Sequence, residues 1–188
     1  KQLKRERRLV AEQGLQVRAL RGPDVDAALW ERFHHFYQLT YSRRSGHGGY
    51  LNREFFRLLG QGMPDSLLLV IAEHGRDVVA GALYVIGADT LYGRYWGCAE
   101  DHAQLHFETC YYQGIDFCIR EGLARFDAGA QGEHKLARGF EPVLTHSCHL
   151  IAHPGFRAAI DDFLARERAA IESYRREAAE ALPYRNAV

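Results

Sequence analysis

The residues best equipped for chemistry cluster in residues 129–140, Gly-Ala-Gln-Gly-Glu-His-Lys-Leu-Ala-Arg-Gly-Phe. Glu133, His134 and Lys135 are consecutive, Arg138 follows three positions later, and Gln131 precedes them between glycines. A carboxylate or imidazole can take a proton, an imidazole can return one, and an ammonium or guanidinium can hold an oxyanion or a phosphate. A second pair, Glu108 and Tyr112, is four residues apart and therefore one helical turn apart on a common flank. A third set, Tyr92, Arg94 and Trp96, alternates along residues 90–98, which predicts a shared strand face able to line an acceptor groove. Each set also has a plain structural reading. Glu133, Lys135 and Arg138 can be ion pairs that pin a loop, Glu108 can be a carboxylate held by a neighbouring arginine, and strand aromatics can be core.

The elements that must position these groups follow from periodicity. Residues 105–122 read as a helix with Phe107, Tyr111, Ile115, Cys118 and Ile119 as its apolar stripe and Gly122 as its stop. Residues 125–128 read as a strand, the polar glycine loop follows, and residues 144–151 read as a further strand. Upstream, residues 67–72, 78–86 and 90–98 are three apolar runs of strand length joined by Gly75-Arg76 and Gly87-Ala88-Asp89, which predicts an antiparallel meander covered on both faces. Residues 15–21 alternate as a first strand. Asp24 is the expected cap of a helix presenting Val25, Leu29, Phe33, Phe36 and Thr40, widened by Trp30 and Tyr37. Residues 42–49 are expected as a mobile loop, and Asn52 caps a short helix that turns Phe55, Phe56, Leu58 and Leu59 inward. A final helix opens at Pro154 and stops at Pro183, roughly 40 Å at 1.5 Å per residue, with Phe156, Ile160, Phe163, Ile171, Tyr174 and Ala178 on one face.

At 188 residues and 47% hydrophobic content the chain can bury one substantial core. Its 24 basic and 24 acidic residues cancel, which disfavours a surface built to neutralise many phosphates. The cationic cluster in residues 1–8 reads as a solvated helix face. The four cysteines lack a C-x-x-C pair and read as reduced thiols, and there is neither an apolar run of membrane-spanning length nor an apolar leader. The expectation is a soluble, cytoplasmic protein, and an opening on Lys1 inside a helical pattern predicts part of a longer polypeptide. Metal chemistry is not expected. Asp127 and Glu133-x-Lys135 lie too close for the hairpin that separates nuclease ligands, and His102 and His106, although four apart, lack an H-E-x-x-H or Cys/His set.

The order strand, two helices, three-stranded meander, helix, strand, loop, strand resembles the GNAT acyltransferase fold. Specific residues narrow this. Leu91-Tyr92-Gly93-Arg94-Tyr95-Trp96-Gly97, Leu105-His106-Phe107-Glu108 with Cys110-Tyr111-Tyr112-Gln113, residues 129–135 and Arg138-Gly139-Phe140 resemble the second half of FemAB-like predicted N-acyltransferases, described as peptidoglycan biosynthesis/recognition proteins. The resemblance covers essentially the whole chain. It implies an α+β GNAT-like fold, a mixed and mostly antiparallel sheet with helices on both faces and a long C-terminal helix. It also implies a connecting helix over residues 1–14 from a missing N-terminal lobe, a GNAT-like domain over 15–153, and a helix over 154–188 that extends beyond the domain and could pair two copies.

Acyl transfer to an amine needs a base for the ammonium, donors for the oxyanion and an acid for the leaving group. Under the resemblance, Glu108 or Glu133 is the candidate base, Tyr112 or His134 the acid, and Lys135 or Arg138 the oxyanion or phosphate partner. Tyr92, Arg94, Trp96, Gln131 and Arg138 are the candidate substrate contacts. The implied donor is an acyl-CoA or an aminoacyl-tRNA, with tRNA as a candidate partner and an amine, in a peptidoglycan-type precursor or elsewhere, as acceptor. One departure matters. The family of acetyl-CoA enzymes carries an R/Q-x-x-G-x-G/A turn after the fourth strand, whereas residues 98–104 here read Cys-Ala-Glu-Asp-His-Ala-Gln, with no glycine and two carboxylates that would repel phosphate. The reading is thus an acyl or aminoacyl N-transferase lobe, against a non-catalytic binding or bracing lobe and, third, a conventional acetyl-CoA enzyme.

Overall fold

A computed structural model describes residues 2–130 and 132–183. The chain divides into two compact units, Lys1–Ala130 and Gln131–Val188. The first is built on a five-stranded sheet in the order β1 (Leu15–Arg21), β2 (Leu67–His74), β3 (Asp77–Ile86), β4 (Thr90–Cys98) and β5 (Arg125–Asp127). The first four strands are antiparallel, and β5 joins β4 in parallel. The meander is the one that the glycine turns predict.

Helices cover both faces, as the lack of alternation in β2 requires. On one face lie α2 (Ala27–Ser45) and α3 (Arg53–Gly62), which pack Trp30, Phe33, Tyr37 and Phe56 against Leu67, Leu69, Ile71 and Leu83. The rings meet edge to face, with Phe33 and Tyr37 5.6 and 5.3 Å from Phe56, and Tyr37 5.3 Å from Tyr95. The other face carries α1 (Gln2–Glu12) and the helical run that follows β4, contributing Val10, Leu105 and Phe117 to the core.

Local chemistry moves several boundaries. Gly22–Asp24 forms a 3-10 turn around Pro23, so Asp26, not Asp24, caps α2 by accepting the Leu29 N–H at 2.8 Å. The helix then runs through Ser45, into the stretch expected as a loop, and ends at Gly46 with φ 71°. Arg43 holds that extra turn by donating to the Cys98 and Ala99 carbonyls at 3.3 and 2.6 Å. Asn52 does cap α3, accepting from Phe55 N–H at 2.9 Å. That short helix buries Phe56 and leaves Phe55 and Leu58 exposed, because one row of side chains is all that α2 can cover.

A pH response follows from the α2 C-terminal region. Gln38 accepts the Gly49 N–H through Oε1, which turns its amide nitrogen toward His34 Nε2 at 3.1 Å and the Leu51 carbonyl at 3.1 Å. His34 Nε2 must therefore be the acceptor, and burial, then the Arg53 charge, lowers the His34 pKa. Below the ordinary histidine value of about 6.5 the unfolded chain takes up a proton that the folded chain resists, so this contribution to stability is present above that pH and is lost as the pH falls toward the folded value. Thermal unfolding of wild type and His34→Gln between pH 7.5 and 5 is expected to show a smaller acid-induced loss in the variant.

The run after β4 departs most from the expected single helix. It comprises α4 (Leu105–Phe107), a π-helical turn (Glu108–Tyr112) and α5 (Gln113–Glu121). The buried Tyr84 hydroxyl donates to the Thr109 carbonyl, and Thr109 Oγ1 donates back to Leu105 at 2.9 Å, which disturbs the regular ladder there. The wider turn rotates everything beyond it. Phe117 faces the core, whereas Ile119, expected in the stripe, is 75% exposed.

In the second unit, Glu133–Arg138 folds as a 3-10 turn closed by Gly139 at φ 85°, where a loop was expected. Residues 144–151 are irregular, and Leu144 and Leu150 are exposed. No strand pairs with them among the described residues, and a strand without a ladder partner leaves its backbone to solvent. The last helix, α6 (Pro154–Glu180), is capped by His153 Nδ1 accepting the Phe156 N–H at 3.2 Å. Of its predicted face, Ala178 is buried, while Phe156, Phe163, Ile171 and Tyr174 are exposed.

Candidate functional site

The candidate residues fall in both units. Tyr92, Arg94 and Trp96 on β4, with Glu108 and Tyr112 in the π-turn, belong to the first; Glu133, His134, Lys135 and Arg138 belong to the second. Gln131 lies outside the described residues.

Glu108 and Tyr112 are buried, at 4% and 5% exposure, and α1 holds both. Arg7 Nε and Nη2 each donate to Glu108 at 3.1 Å, and Nη2 also donates to Asp116 at 2.8 Å. Gln113 Nε2 adds a 2.7 Å bond to Glu108 Oε1. The Tyr112 hydroxyl donates to Glu6 Oε2, Gln2 Nε2 donates to Glu6 Oε1 at 2.9 Å, and the Arg7 guanidinium lies 5.8 Å from the Tyr112 ring centre. The arginine cluster of residues 1–8 is therefore not wholly a solvated face, since Arg7 is engaged. Glu6 was missed by sequence reasoning. A signal existed: Leu3 and Val10 are seven apart, and Glu6 and Arg7 fill the i+3 and i+4 positions between them, on the face that packs inward.

β4 does not present Tyr92, Arg94 and Trp96 on one face. The register against β3 shifts between Leu83 and Tyr84, leaving Arg94 as the extra residue. Tyr92 pairs with Val85 on the α2/α3 side, whereas Trp96 pairs with Ala82 on the opposite side, edge-on to His106 at 5.3 Å. The guanidinium of Arg94 lies 5.9 Å from the Tyr95 ring centre. The β5 ladder ends at Tyr92↔Asp127, and among the described residues no strand pairs with residues 93–98 on that side.

In the second unit the Arg138 guanidinium is buried and donates to the His134 carbonyl at 2.8 Å, bracing the 3-10 turn from within. Tyr174 of α6 donates to Glu133 Oε1 at 3.4 Å. Partial desolvation, then the Arg138 and Lys135 charges, lowers the His134 pKa, which favours the neutral imidazole that a base requires. Burial pushes both the Cys98 and Cys118 thiols up, away from the thiolate a nucleophile requires.

The turn between β4 and α4 is filled from within the protein. Gln13 Nε2 donates to the Ala103 carbonyl at 2.9 Å and Gln13 Oε1 accepts the Ala103 N–H at 3.1 Å, while Gln104 sits at φ 64°. An N–H that could face a phosphate is thus already spent, and Glu100 and Asp101 flank it.

The profile of the FemAB-like family, described as peptidoglycan biosynthesis/recognition, matches residues 1–186. The chain belongs to this family. Comparison with curated protein sequences finds no match. Among solved structures, an aminoglycoside acetyltransferase from an uncultured soil metagenomic sample, in complex with trehalose, superposes with a TM-score of 0.52 at 11% identity over 73% of this chain and 97% of that one. Glucosamine-6-phosphate N-acetyltransferase from Arabidopsis thaliana superposes with a TM-score of 0.50 at 12% identity over 73% and 99%. At such identities the likeness establishes the fold, a GNAT-like acyltransferase architecture in this FemAB-like chain. No helix among the described residues is long and apolar enough to cross a membrane.

Proposed function

We propose that this FemAB-like chain transfers an acyl or aminoacyl group to an amino group, with an amine of a peptidoglycan-type precursor as acceptor. The family description supports the acceptor class. The observation that carries the donor assignment is the β4–α4 turn. Its Ala103 N–H is bonded to Gln13, and Glu100 and Asp101 in the same turn would repel phosphate, which disfavours a CoA pyrophosphate there. A donor held elsewhere, such as an aminoacyl-tRNA, fits this turn better than an acyl-CoA. Within the 3-10 turn of the second unit, His134 is the proposed base and Lys135 the cation for the oxyanion, with Glu133 oriented by Tyr174. Arg138 Nη1 braces the turn through the His134 carbonyl, and the guanidinium is the second cation proposed for the site.

The alternative of a binding or bracing lobe draws on one observation: Glu108 and Tyr112 are already committed to α1. Two measurements separate the readings. A ligand at 100 times its dissociation constant stabilises a folded protein by about 2.7 kcal/mol, and millimolar acetyl-CoA is expected to leave the melting temperature unchanged. Mass spectrometry of amine acceptors incubated with aminoacyl-tRNA is expected to find the aminoacylated product, and Lys135→Ala to lower its rate at least tenfold with the fold intact. A melting shift with acetyl-CoA would overturn the donor assignment, and a Lys135→Ala rate equal to wild type would remove the residue from the reaction.

A further inference from the structure

The cations of α1 divide between two faces of the helix. Arg7 reaches inward to Glu108 and Asp116, and Glu6 and Val10 are buried on that side. Lys4, Arg5 and Arg8 are exposed and point the other way, with Lys4 and Arg8 one turn apart. Like charges at that spacing weaken a helix, so stability gives no reason for them. The chain as a whole is neutral, yet α1 carries four cations against two carboxylates, and one of those, Glu6, is turned inward to Gln2 and Tyr112. On the outer face Glu12 pairs with Arg8 at 3.3 Å, an exposed contact that another anion can replace. Among the described residues no carboxylate pairs with Lys4 or Arg5. The inward bonds of Arg7, and those of Gln13 to the Ala103 backbone, pin α1 to the first unit. The outer cations therefore sit on a fixed helix, and meeting an anion costs them less ordering than it would on a flexible tail.

We infer that the outer stripe of α1, formed by Lys4, Arg5 and Arg8, binds the phosphate backbone of a tRNA. This inference rests on the aminoacyl-tRNA donor proposed above, and it supplies a surface for the body of that donor. A ribose-phosphate chain needs spaced, accessible cations and no apolar partner. An anionic lipid surface also needs an apolar face beside the cations, and here Val10 is buried while Leu3 and Leu9 are half-buried. Phosphate contacts fix position without reading bases, so the stripe orients a tRNA and does not choose among them.

The experiment measures fluorescence anisotropy of a labelled, deacylated tRNA with the full chain, from about 50 to 200 mM salt. Wild type is compared with Lys4→Gln/Arg5→Gln/Arg8→Gln and with Arg32→Gln/Arg44→Gln/Arg76→Gln, which removes three exposed cations from elsewhere in the first unit. Loss of the stripe is expected to weaken binding about tenfold or more at the lowest salt, and to flatten the plot of log affinity against log salt by about 2–3. The control should bind as wild type does, and all three proteins should melt together. Equal affinity in wild type and the stripe variant overturns the inference, and so does an equal loss in the control, which would trace binding to net charge. Wild-type binding to polyglutamate as tight as to tRNA overturns it as well, as does binding to phosphatidylserine vesicles without binding to tRNA. In the transfer assay the stripe variant should raise KM for aminoacyl-tRNA and leave kcat unchanged, because the contact is made equally in ground and transition states. A wild type that binds tRNA through the stripe but transfers no aminoacyl group overturns the function proposed above and leaves the interface standing. Transfer by a stripe variant with unaltered tRNA affinity does the reverse.

Discussion

Gly97→Ala is expected to destabilise the first unit by about 3 kcal/mol or more, the upper range for overpacking, and to do so by prising α2 from the sheet. A Cβ at this position would overlap the backbone carbonyl carbon and oxygen of Phe36, atoms that cannot step aside as a flexible side chain can. The close approach is what lets Thr40 donate to the Trp96 carbonyl at 3.1 Å and Arg43 reach the end of β4. The companion is Gly62→Ala, where the added methyl meets nothing within 4 Å at the end of α3. That variant is expected to be neutral or stabilised by up to about 1 kcal/mol, through the lower entropy of its unfolded state. Urea unfolding of both reads the difference directly, and equal midpoints would mean that α2 is free to shift.

Arg7→Ala is expected to cost about 2–3 kcal/mol. Breaking a buried ion pair typically costs 3–5 kcal/mol, and this one is discounted because the arginine side chain is 40% exposed while that of Glu108 is 6% exposed. The cost arises from leaving the Glu108 carboxylate in the core with Gln113 as the remaining donor given above, and from freeing Asp116. A double-mutant cycle makes the point sharper. In Arg7→Met/Glu108→Leu, where no buried charge remains, most of the loss should be regained, and a coupling energy near zero would show that Arg7 stabilises α1 by packing alone.

Most of the first unit was legible because local signals and burial agree there. The apolar runs of β2 and β3 have strand length, glycine turns separate them, and Asn52 caps α3 by the rule its side chain predicts. The family resemblance rested on motif residues in β4, the π-turn and the 3-10 turn, and the match over residues 1–186 agrees with it. Two of the errors have a common cause. A single added residue opposite Leu83/Tyr84 puts Tyr92 and Trp96 on opposite faces, and a single π-turn moves Ile119 out of the core and Phe117 into it. Periodicity assumes a constant step, and one irregular residue rotates everything beyond it.

What the sequence determined by itself is the order of elements in the first unit, the meander, the family and the set of groups available for chemistry, because each depends on residues near one another in the chain. Only the tertiary structure decided what those groups do to one another. Glu6 and Arg7 meet Tyr112 and Glu108 across more than 100 residues, and Gln13 closes on Ala103 across 90. Hydrogen bonds of that kind depend on distances of a few tenths of an ångström between side chains brought together by packing, and no spacing rule along the chain encodes them.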